Sequence, residues 1–399
     1  MRRMKSEKLI VKTTLLKGGR VVFLLLLLLA LPLYAEDEYQ EGFLTSYLNR
    51  GIEKAMANTE VKDEPLTYGR NITKFVSAPQ FGGYVIGRYS YSSKDNADAN
   101  GFDCRIARMY VSGTILRDFK YRVQMEIKGT PFMLDYTLEW VRFKEFQIKV
   151  GQFKRCFSFE NPMNPWDVGL GNYSQLSGRM TALAAVDCSG EPAQNGRDLG
   201  LQFQGDLFPV GKDRHRLIRY QAAVYNGNGL NKKDNNTQKD WMGNLQVQPI
   251  KDLYIGLFGW TGTYTGANMV SAKRNRWALS AKYEHNDWSF RAEYAHHTGH
   301  NVNDFNTETN TWKKGTSNKA DAWYVLAGVP VTRWLKIYGS YDVYRKDACW
   351  GTMRSVYSLC PNFQLHKNLM FQVQYNYIND RTATDRNYHE VCAQTYVRF

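Results

Sequence analysis

From residue 81 to the last residue the chain repeats one pattern, and that pattern leaves few folds open. "FKYRVQMEIK" (119–128) sets Tyr121, Val123, Met125 and Ile127 on one face and Lys120, Arg122, Gln124 and Glu126 on the other. "RWALSAKYE", "WSFRAEY" and "LMFQVQYNY" alternate in the same way. This is the period of a β-strand, not of a helix. Sixteen such segments can be drawn, at 81–91, 102–115, 119–128, 132–144, 146–156, 196–207, 216–226, 240–249, 252–261, 276–285, 287–298, 320–330, 334–344, 353–365, 367–379 and 388–399. Most reach the length of about ten residues that a tilted strand needs to cross a bilayer, where soluble strands average ~5–6.

The connections sort by strand parity. After even-numbered segments they are short, as in "PIK", "HND", "VTR" and "LHK". After odd-numbered ones they are mostly long and polar: "SSKDNADAN", 157–195, "GNGLNKKDNNTQK", 262–275, 299–319, "RKDACWGT" and "RTATDRN". The short "GTP" at 129–131 breaks the rule. Two rims of different kind are expected of an antiparallel barrel in a membrane and not of a sandwich. Lipid offers no hydrogen bonds, so the sheet must close. The expected fold is therefore all-β: a 16-stranded antiparallel transmembrane β-barrel over 81–399, with the long third outer loop, 157–195, folded inward. Trp140, Trp166, Trp241, Trp260, Trp277, Trp288, Trp323 and Trp334 fall near strand ends or loop edges, where aromatic girdles sit.

The N-terminus fits export. Seven basic residues precede "VVFLLLLLLALPLYA", and Ala35 ends the apolar run, as in a signal peptide of 1–35. Without it the chain would carry a net charge of +8. No basic run of the nucleic-acid-binding kind occurs, so no nucleic-acid partner is expected. Residues 36–80 do not alternate and suggest a periplasmic segment with a short helix. Cys156 and Cys188 flank the long loop, so a disulfide closing it is one option, with free buried thiols the other.

Catalytic signatures such as GxSxG, HExxH or a phosphate loop are missing. His296, His297 and His300 cluster at the outer end of one strand, and solvated loop histidines are the commoner explanation. The expectation is a non-enzyme with no cofactor and no metal.

Two stretches resemble a known family. "VGQFKRCFSFEN" (150–161) and "AVYNGNGLNKKDNNTQKDWMGNLQVQP" (223–249) look like the phosphate-selective porin O and P family, in which a "GQFK" strand opens the long third loop. The resemblance implies a sixteen-stranded porin, commonly a homotrimer, in the outer membrane of a Gram-negative bacterium. The terminal "TYVRF", ending in Phe399, resembles the strand that barrel-assembly machinery reads. Expected partners are outer-membrane lipid and small ions or polar solutes, anions among them. Cys156 stands where the family has Pro, and the loop lacks the family's lysine cluster.

A sixteen-stranded barrel is too wide to fill with its own side chains, so something must narrow it. The loop 157–195 is the candidate. It holds Glu160, Asp167, Asp187 and Glu191 against Arg179 alone, net −3. By alternation the lumen receives Arg122, Lys149, Arg155, Lys282 and Arg291, and also Glu126, Asp135, Glu139 and Glu293. A basic wall facing an acidic loop would set up a field across the pore. A diffusion channel for small solutes is the leading expectation. A surface adhesin or receptor using the long loops is the second, and a barrel enzyme the third.

Overall fold

The computed structural model describes residues 77–94 and 100–399. The expected signal peptide and the helix in 36–80 lie outside these residues. Sixteen strands form the barrel. They are β1 (Gln80–Ser92), β2 (Gly101–Ile115), β3 (Phe119–Glu126), β4 (Phe132–Trp140), β5 (Gln147–Lys154), β6 (Arg197–Val210), β7 (His215–Tyr225) and β8 (Asp240–Val247). They continue as β9 (Leu253–Thr265), β10 (Ser271–His285), β11 (Trp288–Thr298), β12 (Lys319–Pro330), β13 (Leu335–Arg345), β14 (Met353–His366), β15 (Leu369–Asp380) and β16 (Asn387–Arg398).

Each strand pairs antiparallel with its sequence neighbours, and β1 pairs with both β2 and β16. Gly83 and Phe399 exchange both backbone hydrogen bonds at 3.0 Å, which fastens the seam beside the C-terminus. Closure leaves the barrel no unpaired edge, as lipid requires.

Burial runs opposite to that of a soluble sheet. Along β10, Trp277 and Leu279 are each 47% exposed, while Arg274, Arg276, Ala278 and Ser280 between and beside them are buried. Apolar side chains face outward and polar ones inward, the arrangement of a barrel whose solvent outside is lipid. Among the described residues no helix is long and apolar enough to cross a membrane.

One expectation about the connections changes, and two long connections prove to hold structure of their own. The loop drawn at 262–275 contracts to 266–270, because β9 and β10 pair out to Thr265 and Ser271. Tyr264 and Ala272 on these extensions are buried with Val302 of the connection 299–318, which holds the ladder together beyond the barrel rim. That connection also folds a two-stranded hairpin, pairing Phe305 with Trp312. The long connection after β5 is not wholly irregular: it contains helix α1 (Gln175–Thr181). Ser174 caps it by accepting from the Ser177 N–H at 3.1 Å, and Ala182 ends it in the left-handed region at φ 52°.

Trp166 and Trp260 are not in the lipid girdle. Trp166 packs edge-on against Tyr396 inside the barrel. Trp260 is buried, with its ring facing the guanidinium groups of Arg155, Arg274 and Arg276 at 5.1, 4.8 and 4.2 Å. Strand alternation turned Trp260 inward, and the inward path of the connection 155–196 carried Trp166 there.

Candidate functional site

Strand β5 carries a glycine within its ladder, three residues before it leaves the wall at Lys154. Gly151 has φ 122°, and a Cβ there would lie 2.0 Å from the Tyr136 carbonyl oxygen on β4. Only glycine fits that backbone and that approach. Beyond Lys154 the chain enters the barrel, and a buried ionic network receives it. The Arg155 guanidinium donates to Glu191 at 2.7 Å and to Asp198 at 2.8 Å. Arg274 donates to the other Glu191 oxygen at 2.5 Å and to Asp240. The Trp260 indole N–H also donates to Asp240, at 2.9 Å. All three ionic partners of the two arginines, like the arginines themselves, are out of contact with solvent. Charges so buried persist only when paired and hydrogen-bonded, as here.

The connection then crosses toward the far wall, and wall side chains take up its backbone groups one after another. The Glu293 carboxylate on β11 accepts the N–H groups of Phe159 (2.8 Å) and Glu160 (3.2 Å). Ser280 and Tyr324 donate to the same carboxylate at 2.7 and 2.6 Å. Arg291 donates to the Val168 carbonyl. Asn362 and Gln372 hold the Gly169 carbonyl at 2.9 and 3.2 Å. Gln374 accepts the Gly171 N–H at 2.6 Å, and Gln394 donates to the Gly171 carbonyl at 3.0 Å. Asp342 accepts the Gln175 N–H at 2.7 Å, and Arg276 binds Asp187 at 2.6 Å. A buried loop must satisfy its backbone somewhere, and here the inner wall supplies the partners.

This arrangement redistributes the expected pore residues. Arg155, Glu160, Arg291 and Glu293 are buried and hold the connection in place, so they do not line open solvent. Glu160 turns back to accept the Ser174 N–H at 2.9 Å. The expected field between basic wall and acidic loop is also revised. Asp187 and Glu191 are in direct contact with wall arginines, and contact pairing cancels the separated charge such a field needs. Asp167 alone of the four loop acids is exposed. Arg179 lies over the Tyr344 ring and donates to the Val186 carbonyl. Lys282 pairs with Glu284 at 3.4 Å.

The remaining residues stay on the wall of β2 to β6. Glu126 binds Arg108 at 3.0 Å, Asp135 binds Arg197 at 2.8 Å, and Glu139 accepts from Gln204 at 2.6 Å. Arg122 lies over the Tyr110 ring, and the Lys149 ammonium sits 5.0 Å from the centre of the Phe153 ring. A cavity of about 260 Å³ separates this wall from Pro162, Met163, Asn164 and Pro165 of the connection. Arg122, Lys149 and Lys154 line it, and none of the three has a carboxylate partner among the described residues.

Sequence reasoning missed Arg108, Arg197, Arg274, Arg276, Asp240 and Tyr324. For Arg274 a signal existed, because "SAKRN" continues the alternation of β10 toward its N-terminal end. No bridge forms between Cys156 and Cys188: both are free, and burial pushes both thiols up to about 12. The three clustered histidines do not converge. His297 is buried against Arg276 and the Gly299 carbonyl, and His300 stacks on Trp312 at 4.4 Å.

Residues 83–252 match the family described as phosphate-selective porin O and P. No curated protein sequence matches. Solved structures share the fold. The anion-selective porin from Comamonas acidovorans is 13% identical, with 81% of this chain and 99% of that one covered and a TM-score of 0.60. OmpF of Salmonella typhi, in complex with daunomycin, is 13% identical over 80% and 97%, with a TM-score of 0.58. The outer membrane channel DcaP of Acinetobacter baumannii is 10% identical over 83% and 99%, with a TM-score of 0.57. The stretch from β1 to the turn before β9 is thus similar to the phosphate-selective porin O and P family, and the closed barrel as a whole shares the fold of outer-membrane porins.

Proposed function

We propose that the connection 155–196 is the constriction of a water-filled diffusion channel, and that the channel passes small polar solutes with a preference for anions. The observation that carries this reading is the cavity between Pro162–Pro165 and the wall of β2 to β6. Its cations Arg122 and Lys149 have no carboxylate partner among the described residues, while the loop acids Asp187 and Glu191 are paired with wall arginines. In a narrow pore, unpaired fixed charge sets which ions enter. Sequence similarity to the family supports the channel. The lysine cluster on the family's loop is missing here, so the preference belongs to the wall and is not specific to phosphate.

Residues 1–35 act as the export signal in this reading and 36–80 as a periplasmic segment. The terminal strand with Phe399 serves recognition by the assembly machinery in the outer membrane of a Gram-negative cell. A homotrimer is the proposed assembly, and one neighbour, OmpT of Vibrio cholerae, is described in a trimer form. The barrel works without chemistry of its own.

Planar-bilayer recording in a KCl gradient tests the reading. A reversal potential on the chloride side supports it. Absence of conductance would overturn the channel, and a potassium-side potential would overturn the anion preference alone. Deleting the loop should raise conductance. An adhesin would instead lose binding and keep its permeability.

A further inference from the structure

A second cavity, of about 280 Å³, lies on the other side of the constriction connection, toward the rim of long loops. That size is near the lower end of the ~300–1,000 Å³ of small-molecule sites. Its lining joins the connection 155–196 to those at 299–318, 346–352 and 381–386. Arg179, Lys319 and Lys346 line it, and none of the three has a carboxylate partner among the described residues. Asp304 and Asp347 also line it, and neither carboxylate has a cation partner among the described residues. In the same cavity Arg354 does pair with Asp380, at 3.7 Å. Tyr344 supplies an aromatic face, already covered by Arg179.

Opposite charges that share one cavity without neutralising each other lower the cost of binding a ligand that carries both signs. A singly charged ion would satisfy the groups of one sign and face repulsion from those of the other. Hydroxyls of Ser317, Thr352 and Thr382 add donors and acceptors around them. We infer that this outer cavity is a binding site for small zwitterions of the amino-acid or short-peptide class, which would collect there before passing the constriction. The inference deepens the channel reading but needs only the folded barrel to be tested.

The experiment is isothermal titration of the detergent-solubilised full chain with glycylglycine and L-alanine, against propionate and propylammonium as singly charged controls. Saturable binding of the zwitterions, with neither control binding comparably, is the expected result. K346Q and D347N should each weaken that binding about tenfold, the usual loss for one charged hydrogen bond. Both residues lie in a loop, and a heat-shift gel on each variant reports folding separately. Propionate binding as well as alanine, with D347N without effect, would overturn the inference in favour of a plain anion site. No saturable binding in the folded wild type would overturn it outright. Conductance in KCl is recorded on the same samples, so failure of the channel and failure of the site are read apart.

Discussion

The carboxylate of Glu293 accepts the backbone N–H of Phe159 at 2.8 Å, across 134 positions of sequence. It binds the connection just after its entry into the barrel, and the same carboxylate takes bonds from Glu160, Ser280 and Tyr324. One wall residue thereby fixes where the loop begins its crossing.

Replacing that carboxylate should free the loop. Glu293→Gln removes the charge that two backbone N–H groups share, and each hydrogen bond to a charged group contributes about 1.5–3 kcal/mol. Single-channel recordings should show a higher and noisier conductance than wild type, and the barrel should unfold at lower denaturant. Unchanged conductance with a normal fold would mean that the loop does not set the pore.

Arg155 is expected to matter for folding more than for selectivity. Removing one member of a buried ion pair leaves its partners unpaired and costs ~3–5 kcal/mol. Arg155→Ala strands Asp198 and half of Glu191 without solvent. The midpoint of urea unfolding, followed by the heat-shift of the barrel on a gel, should fall accordingly. A shift below about 1 kcal/mol would contradict the assigned pairing.

Arg122 and Lys149 are the residues on which selectivity should turn. Arg122→Ala and Lys149→Ala should each lower the ratio of chloride to potassium permeability, and the double variant should lower it further. The effect should be larger at 0.1 M than at 1 M salt, because the screening length falls from ~10 to ~3 Å. Reversal potentials that do not respond to either change would remove both residues from the pore.

Asp167 gives the selectivity its pH dependence. Although its side chain reaches solvent, burial by the surrounding protein pushes its carboxyl above the ordinary range, Glu284 adds to this, and Arg398 opposes it. An acid whose folded value is raised loses its charge earlier as the pH falls, and the folded state gains stability over that interval. Anion preference should therefore strengthen on acidification through the raised value. The reversal potential of Asp167→Asn should lack this component, and an identical pH profile in the variant would rule Asp167 out.

Strand number, order and approximate ends were all legible in the alternation of "FKYRVQMEIK" and its fellows, because a strand between lipid and water shows both solvents in its side chains. The sorting of loops by parity identified the two rims for the same reason. What alternation conveys is the face a residue takes, not what stands opposite it. Arg155, Glu160, Arg291 and Glu293 were placed on the lumen side or in the loop, yet whether they meet water or protein there depends on the path of 155–196. That path follows from partners such as Gln374, Gln394 and Asp342, more than 160 positions away. The sequence alone thus determined a closed barrel and its long third connection. Only the tertiary structure decided that Asp187 and Glu191 of the loop are spent on wall arginines and that the cations without carboxylate partners lie on β3 and β5, because the pairing of buried charge is settled by contacts between segments no local pattern links.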